Sequence, residues 1–89
     1  SLSDNYPNPF NPSTSIDFSI AEPSIVDLSI YDASGRLVRT LVSENKGVGS
    51  YTINWDGTNN NGVTVSAGMY LYKINTENYV ETKKMLLVK

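Results

Sequence analysis

Ser50-Tyr51-Thr52-Ile53-Asn54-Trp55-Asp56-Gly57 is the stretch that most restricts how this 89-residue chain can fold. Tyr51, Ile53 and Trp55 alternate with Thr52 and Asn54, the period of two that gives a strand one buried and one wet face. Trp55 is the only Trp in the chain. An indole can bury about 200 Å² or more, so in a chain this short it is expected at the centre of the core. Asp56-Gly57 follows at once as a turn signal.

The same alternation recurs along the chain. Ile16, Phe18 and Ile20 define a first strand, and Val26, Leu28 and Ile30 a second. Arg36 to Val42 reads as a third with poorer alternation, and Ser43 to Gly49 as a mobile loop. After the Trp55 strand come a short Val63-Thr64-Val65, then Met69 to Asn75, then Tyr79 to Lys89. Turn residues separate them: Ala21-Glu22-Pro23-Ser24, Asp32-Ala33-Ser34-Gly35, Ser66-Ala67-Gly68 and Thr76-Glu77-Asn78. About seven short strands, with no helix-period segment, predict an all-β antiparallel sandwich of immunoglobulin or fibronectin-III type.

Three of the four prolines fall in Asn5-Tyr6-Pro7-Asn8-Pro9-Phe10-Asn11-Pro12-Ser13-Thr14. Each fixes φ and presses its predecessor toward extended geometry, so this segment is not helix. The expected organisation is a linker remnant (Ser1–Asp4) and a Pro-rich strap over residues 1–14, then the sandwich over 15–89. Tyr6 and Phe10 are the expected anchors of the strap.

Composition excludes more than it assigns. The chain has no Cys and no His, so an ordinary nucleophile–base pair is missing and zinc lacks its favoured ligands. The acids are scattered over turns and outward strand positions, which does not suggest a two-carboxylate hydrolase. No enzyme and no cofactor are expected. A net charge of −2 is too small for a nucleic-acid binder. No apolar run approaches the ~20 residues of a membrane span. The chain lacks an initiator Met and reads as a piece of a larger protein. The bases gather toward the C-terminal end, at Lys73, Lys83, Lys84 and Lys89, as on a guarded strand edge.

Three local features invite a functional reading. Tyr70, Tyr72 and Ile74 suit an inner face, yet Met69 and Leu71 on the other face are apolar too, and Met85-Leu86-Leu87-Val88 is apolar on both. Either the strap or a loop covers that second side, or the hairpin holds out an apolar patch for a partner. Asp56, Asn59 and Asn61 carry hard-cation oxygens, but one charge is few for calcium, and Asn and Gly are also what turns require. Tyr31 and Tyr79, on outward positions, could stack on a glycan.

Taken in order, the opening Asn5–Thr14 motif, Ile30-Tyr31-Asp32-Ala33-Ser34-Gly35-Arg36-Leu37-Val38, Trp55-Asp56-Gly57, Ala67-Gly68-Met69-Tyr70 and Thr82-Lys83-Lys84-Met85-Leu86-Leu87-Val88-Lys89 resemble type A C-terminal sorting domains of the type IX secretion system. The middle pieces also resemble immunoglobulin-like domains of flagellar hook-capping proteins. The sorting family often has Gly before the last strand, where Asn78 stands here. The resemblance implies a delivery label at the C-terminus of a secreted Gram-negative protein. Such a domain folds in the periplasm behind an upstream cargo domain and is recognised by an outer-membrane translocon. A sortase-like protease then removes it, near or before Asn5, as cargo is fixed to the cell surface or released. By that analogy Gly68, Met69, Tyr70, Lys83, Lys84, Met85, Leu87 and Lys89 form the recognition surface. A carbohydrate-binding or purely structural accessory module is the alternative.

Overall fold

The computed structural model describes Ser1–Lys89, and it is an all-β, immunoglobulin-like sandwich. Six strands form it: β1 (Thr14–Ile20), β2 (Ser24–Asp32), β3 (Leu37–Lys46), β4 (Gly49–Trp55), β5 (Gly68–Asn75) and β6 (Val80–Leu87). All pairings are antiparallel: β1 with β4 in one sheet, and β3-β2-β5-β6 in that order in the other.

Period-2 sequences put one apolar set from each strand between the layers. Ile16, Phe18, Ile20, Val26, Leu28, Ile30, Val42, Trp55, Tyr70, Tyr72, Ile74, Met85 and Leu87 are all buried in one cluster. Trp55 sits where the two sheets and the N-terminal segment meet. Its ring lies 5.6 Å from that of Phe10 and 5.4 Å from that of Tyr70, and its Nε1–H donates to the Thr58 carbonyl at 2.9 Å.

Two strand expectations are corrected. β3 does not stop at Val42 but runs to Lys46, with Ser24 to Asp27 of β2 paired against Lys46 to Ser43. The expected loop there is therefore strand, and the turn into β4 is tight. A polar edge strand needs only backbone partners, and β2 supplies them. Conversely, Val63-Thr64-Val65 is not a strand: Thr64 makes one isolated bridge to Thr58. The Asp56–Ala67 connection instead folds on itself and caps the β3 edge. Asn60 N–H donates to the Val38 carbonyl, Thr40 N–H to Asn60 Oδ1, and Arg39 Nη1 to Thr58 Oγ1 at 2.6 Å. Gly57 is required in this loop: its φ is +80°, and a Cβ would meet the Pro12 carbonyl at 3.0 Å.

The N-terminal segment is integral to the sandwich. Ser1–Asp4, expected as a linker remnant, lies along β1: Leu2 bridges Phe18, Tyr6 bridges Ser15, and Ser3 N–H donates to the Asp17 carbonyl at 2.9 Å. Leu2 is buried there, whereas Tyr6 is 60% exposed and anchors nothing through its ring. Register explains this, since Leu2 shares the inward face with its partner Phe18. Past Tyr6 the strap crosses to the other sheet. Phe10, fully buried as expected, bridges Leu87, with Phe10 N–H donating to the Leu86 carbonyl and Val88 N–H to the Phe10 carbonyl, each at 3.0 Å. One segment thus closes the edge of β1 and the C-terminal edge of β6.

Between these two contacts the strap is pinned from inside. Asn5 N–H donates to Tyr72 Oη at 2.8 Å, and the Tyr72 hydroxyl donates to the Ser3 carbonyl at 2.7 Å. Burial pushes the Tyr72 phenol up to about 12, with the Asp4 and Glu81 carboxylates adding to the effect and the Asn5 N–H opposing it. An acid whose proton is held more tightly in the folded state than in the unfolded chain loses stability as pH rises. Folding stability therefore declines from about pH 10, where an unfolded Tyr ionises, to about pH 12. Urea melts at pH 8 and pH 11 measure the decline. In Tyr72→Phe it shrinks, while stability at pH 8 drops by about 1–3 kcal/mol because the buried Asn5 N–H loses its acceptor.

Candidate functional site

The β5–β6 hairpin sits at one end of the larger sheet, and its two faces differ. Tyr70, Met85 and Leu87, expected on the recognition surface, point inward and are buried. The Tyr70 hydroxyl donates to the Ser66 carbonyl at 2.6 Å. Those three side chains hold the hairpin to the core and are corrected from surface to interior. The cause is parity: Met85 pairs with Tyr70 and Lys83 with Tyr72, on the inward face.

The outward face carries the opposite set. Met69 (43% exposed) pairs with Leu86 (42%), and Leu71, half-buried, pairs with Lys84 on β6 and Tyr31 on β2. Leu37 on β3 pairs with Tyr31, extending the apolar surface across all four strands. Val88, 41% exposed, follows at the end of β6. The strap covers the C-terminal end of the β6 edge but leaves this face open; Asp4 and Asn8 reach its rim, Asn8 Oδ1 accepting from Leu86 N–H at 3.1 Å. Of the two alternatives for the hairpin's second side, the uncovered apolar face is the one present.

Two cations flank the patch. Lys84 is exposed and makes no ion pair, and the Lys73 amine stands 5.9 Å from the centre of the Tyr31 ring. The other expected bases are engaged. Lys83 is half-buried on the inward side, 3.1 Å from Asp4 and 3.8 Å from Glu81, and so ties β6 to the strap. Lys89 Nζ donates to the Val65 carbonyl at 2.7 Å. Gly68 opens β5 and Met69 follows it outward, so Met69 and Lys84 are the expected residues that the fold brings together on the open face. Leu71, Leu86, Tyr31 and Leu37 join them. Their signal was the apolar residue at outward parity beside an already apolar inward set.

A depression of about 580 Å³ lies along this face, lined by Asp4, Met69, Leu71, Thr82, Lys83 and Lys84. It is a broad surface, suited to a protein partner rather than an enclosed small molecule.

The other candidates are structural in their geometry. Asp56 Oδ1 accepts from Thr58 N–H and Oγ1–H, and Asn59 Oδ1 accepts from the N–H groups of Asn61 and Val63. The Asp56 and Asn59 oxygens named for calcium thus serve the loop's own turns. The Thr58 hydroxyl bond holds the Asp56 carboxyl below the ordinary carboxylate range, as the Ser34 hydroxyl does for Asp32. No group of three or more His, Cys, Asp or Glu comes together. Tyr31 and Tyr79 form no common stacking platform: Tyr31 lies mid-sheet beside Leu71, while Tyr79, past the β5–β6 turn, packs on the core with its hydroxyl buried.

These features define a type of module: an immunoglobulin-like sandwich with one uncovered, apolar and basic sheet face. The chain belongs to the FlgD Ig-like domain family, whose model matches residues 5–79. Comparison with curated proteins finds no match. Among solved structures, PorU from Porphyromonas gingivalis, described as a dimeric latent form, is similar over 96% of this chain at 28% identity and a TM-score of 0.71. PorZ, an essential bacterial surface component of the type IX secretion system of the same bacterium, is similar over 97% at 17% identity and a TM-score of 0.70. FlgD from Xanthomonas campestris, a protein of hook capping in flagellar assembly, is similar over 96% at 24% identity and a TM-score of 0.66. The chain spans 9% of PorU, 11% of PorZ and 64% of that FlgD. It is thus an Ig-like domain similar to FlgD and to proteins of type IX secretion.

Proposed function

We propose that this domain is a sorting label that directs a secreted bacterial protein through the outer membrane by the type IX system and performs no reaction itself. Its partners on this reading are an upstream cargo domain, the outer-membrane translocon and a sortase-like protease. It passes through the periplasm and ends at the cell surface or in the medium. The observation that carries the reading is the open face formed by Met69, Leu71 and Leu86 beside Lys84, on a sandwich whose β1 edge and C-terminal end of β6 are covered by the strap. Where the strap occupies the end of β6 it competes with strand addition, and the apolar patch beside it suits face docking, in which an apolar centre is desolvated inside a charged rim. The likeness to PorU, at 28% identity, supports the type IX assignment.

The strap bears on where the protease acts. Asn5 is buried and Leu2 lies in the core, so a cut near Asn5 requires peeling the strap from β1. On this reading the scissile bond lies ahead of Ser1. The function is tested by fusing the domain behind a fluorescent passenger bearing a signal for export to the periplasm, in a bacterium with a type IX system. The fused passenger is expected at the surface or in the medium, and the passenger alone in the periplasm. Equal retention of both in the periplasm contradicts the proposal.

A further inference from the structure

The ladder between the strap and β1 reaches Ser1 without loosening. Ser1 and Ser19 exchange both backbone bonds at 2.9 Å, and their hydroxyls meet at 2.6 Å. Two residues on, Ser3 N–H donates to the Asp17 carbonyl, with the Leu2–Phe18 bridge between. Bonded pairs in an antiparallel ladder recur every second residue, so the next one falls at Ala21. Ala21 lies just past the end of β1, and its N–H and C=O enter no hydrogen bond with another backbone group. Beside it lies an open groove of about 600 Å³, walled by Ser1, Ile20, Ala21, Glu22, Thr76 and Tyr79. The line of the strap runs straight into it.

Parity fixes what would enter. Leu2 points inward and is buried, while Ser1 is exposed. Side chains alternate along an extended segment, so a residue directly ahead of Ser1 has the parity of Leu2 and faces Ile20. On that inward side the groove's apolar residues are Ile20 and Tyr79, and Glu22, Ser24, Thr76 and Asn78 line the rest of it.

We propose that, in any longer polypeptide carrying this domain, the two residues directly ahead of Ser1 continue the strap as a strand on β1. The first of them seats an apolar side chain against Ile20 and Tyr79, and the second exchanges backbone bonds with Ala21. The groove is thus a docking site for the polypeptide entering the domain, continuous with the strap–β1 interface. One consequence is a stiff entry: these residues are held as a strand and shielded from proteolysis, so a protease acts further upstream.

The test compares the 89-residue chain with three chains carrying Thr-Val, Thr-Gly or Thr-Asp ahead of Ser1, reading amide hydrogen exchange at Ala21 and thermal melting. With Thr-Val, exchange at Ala21 slows by about tenfold or more, and the melting temperature exceeds that of the Thr-Asp chain by about 4 °C or more. Unchanged exchange at Ala21 in all three extended chains overturns the strand. Protection at Ala21 with no difference in melting between Val and Asp overturns the seating of the side chain. No secretion host is involved, so either outcome leaves the sorting proposal standing or falling on its own assay.

Discussion

Replacing Trp55 by Ala is expected to remove about 3–5 kcal/mol of folding free energy, the upper range for truncating a buried aromatic. The indole is fully buried and joins three parts that are distant in sequence: Phe10 of the strap, Tyr70 of β5, and Thr58 of the loop that caps β3. Its loss leaves a cavity at that junction and removes the donor to the Thr58 carbonyl. Small domains have only about 5–15 kcal/mol in total, so the variant should melt more than about 12 °C lower. Tyr6→Ala, at an exposed ring three residues before Pro9, should change stability by no more than about 0.5 kcal/mol. Urea melts of both variants check the pair, and a Trp55→Ala loss below 1 kcal/mol would remove Trp55 from the centre of this account.

Deleting Lys83–Lys89 should unfold the domain. Met85 and Leu87 are buried, and losing each costs about 2–5 kcal/mol on the scale of large core truncations. The same deletion takes away the Lys83–Asp4 ion pair and the backbone bonds that Leu86 and Val88 make with Phe10. Together these losses match the whole stability of a domain this size. Near-UV circular dichroism should lose its aromatic signal, and amide exchange should approach the unprotected rate. A native spectrum from the truncated chain would contradict the packing described. Because the deletion acts on the core, export lost in such a truncation reports misfolding and carries no information about recognition.

The parts of the fold readable in advance were those where one side of a strand must be apolar. Ile16-Phe18-Ile20, Val26-Leu28-Ile30 and the Trp55 strand fell where their parity put them. The far half of β3 was invisible because Ser43-Glu44-Asn45-Lys46 is polar at both parities, and only backbone pairing to β2 makes it strand. Val63 and Val65 gave the opposite error: β-branched residues with no neighbouring strand to pair with stay in a loop. In the strap, Tyr6 was expected as an anchor and Leu2 as part of a linker, yet inward register on β1 buries Leu2 and leaves Tyr6 exposed. The same rule governs the site. Apolar residues on both sides of the β5–β6 hairpin left a covered second side and an exposed patch both open, and only the cross-strand pairs Met69–Leu86 and Met85–Tyr70 tell the outer set from the inner one.

The most direct measurement is the export of a fused passenger whose label carries Met69→Asp together with Leu86→Asp, beside a Val48→Asp control in the β3–β4 turn. All three positions are exposed, so each variant should melt within a few degrees of the parent. If the outward hairpin face is the address, the double variant leaves its passenger in the periplasm with surface delivery cut by about tenfold or more, while the control is delivered normally. Full delivery of a folded double variant would contradict the account.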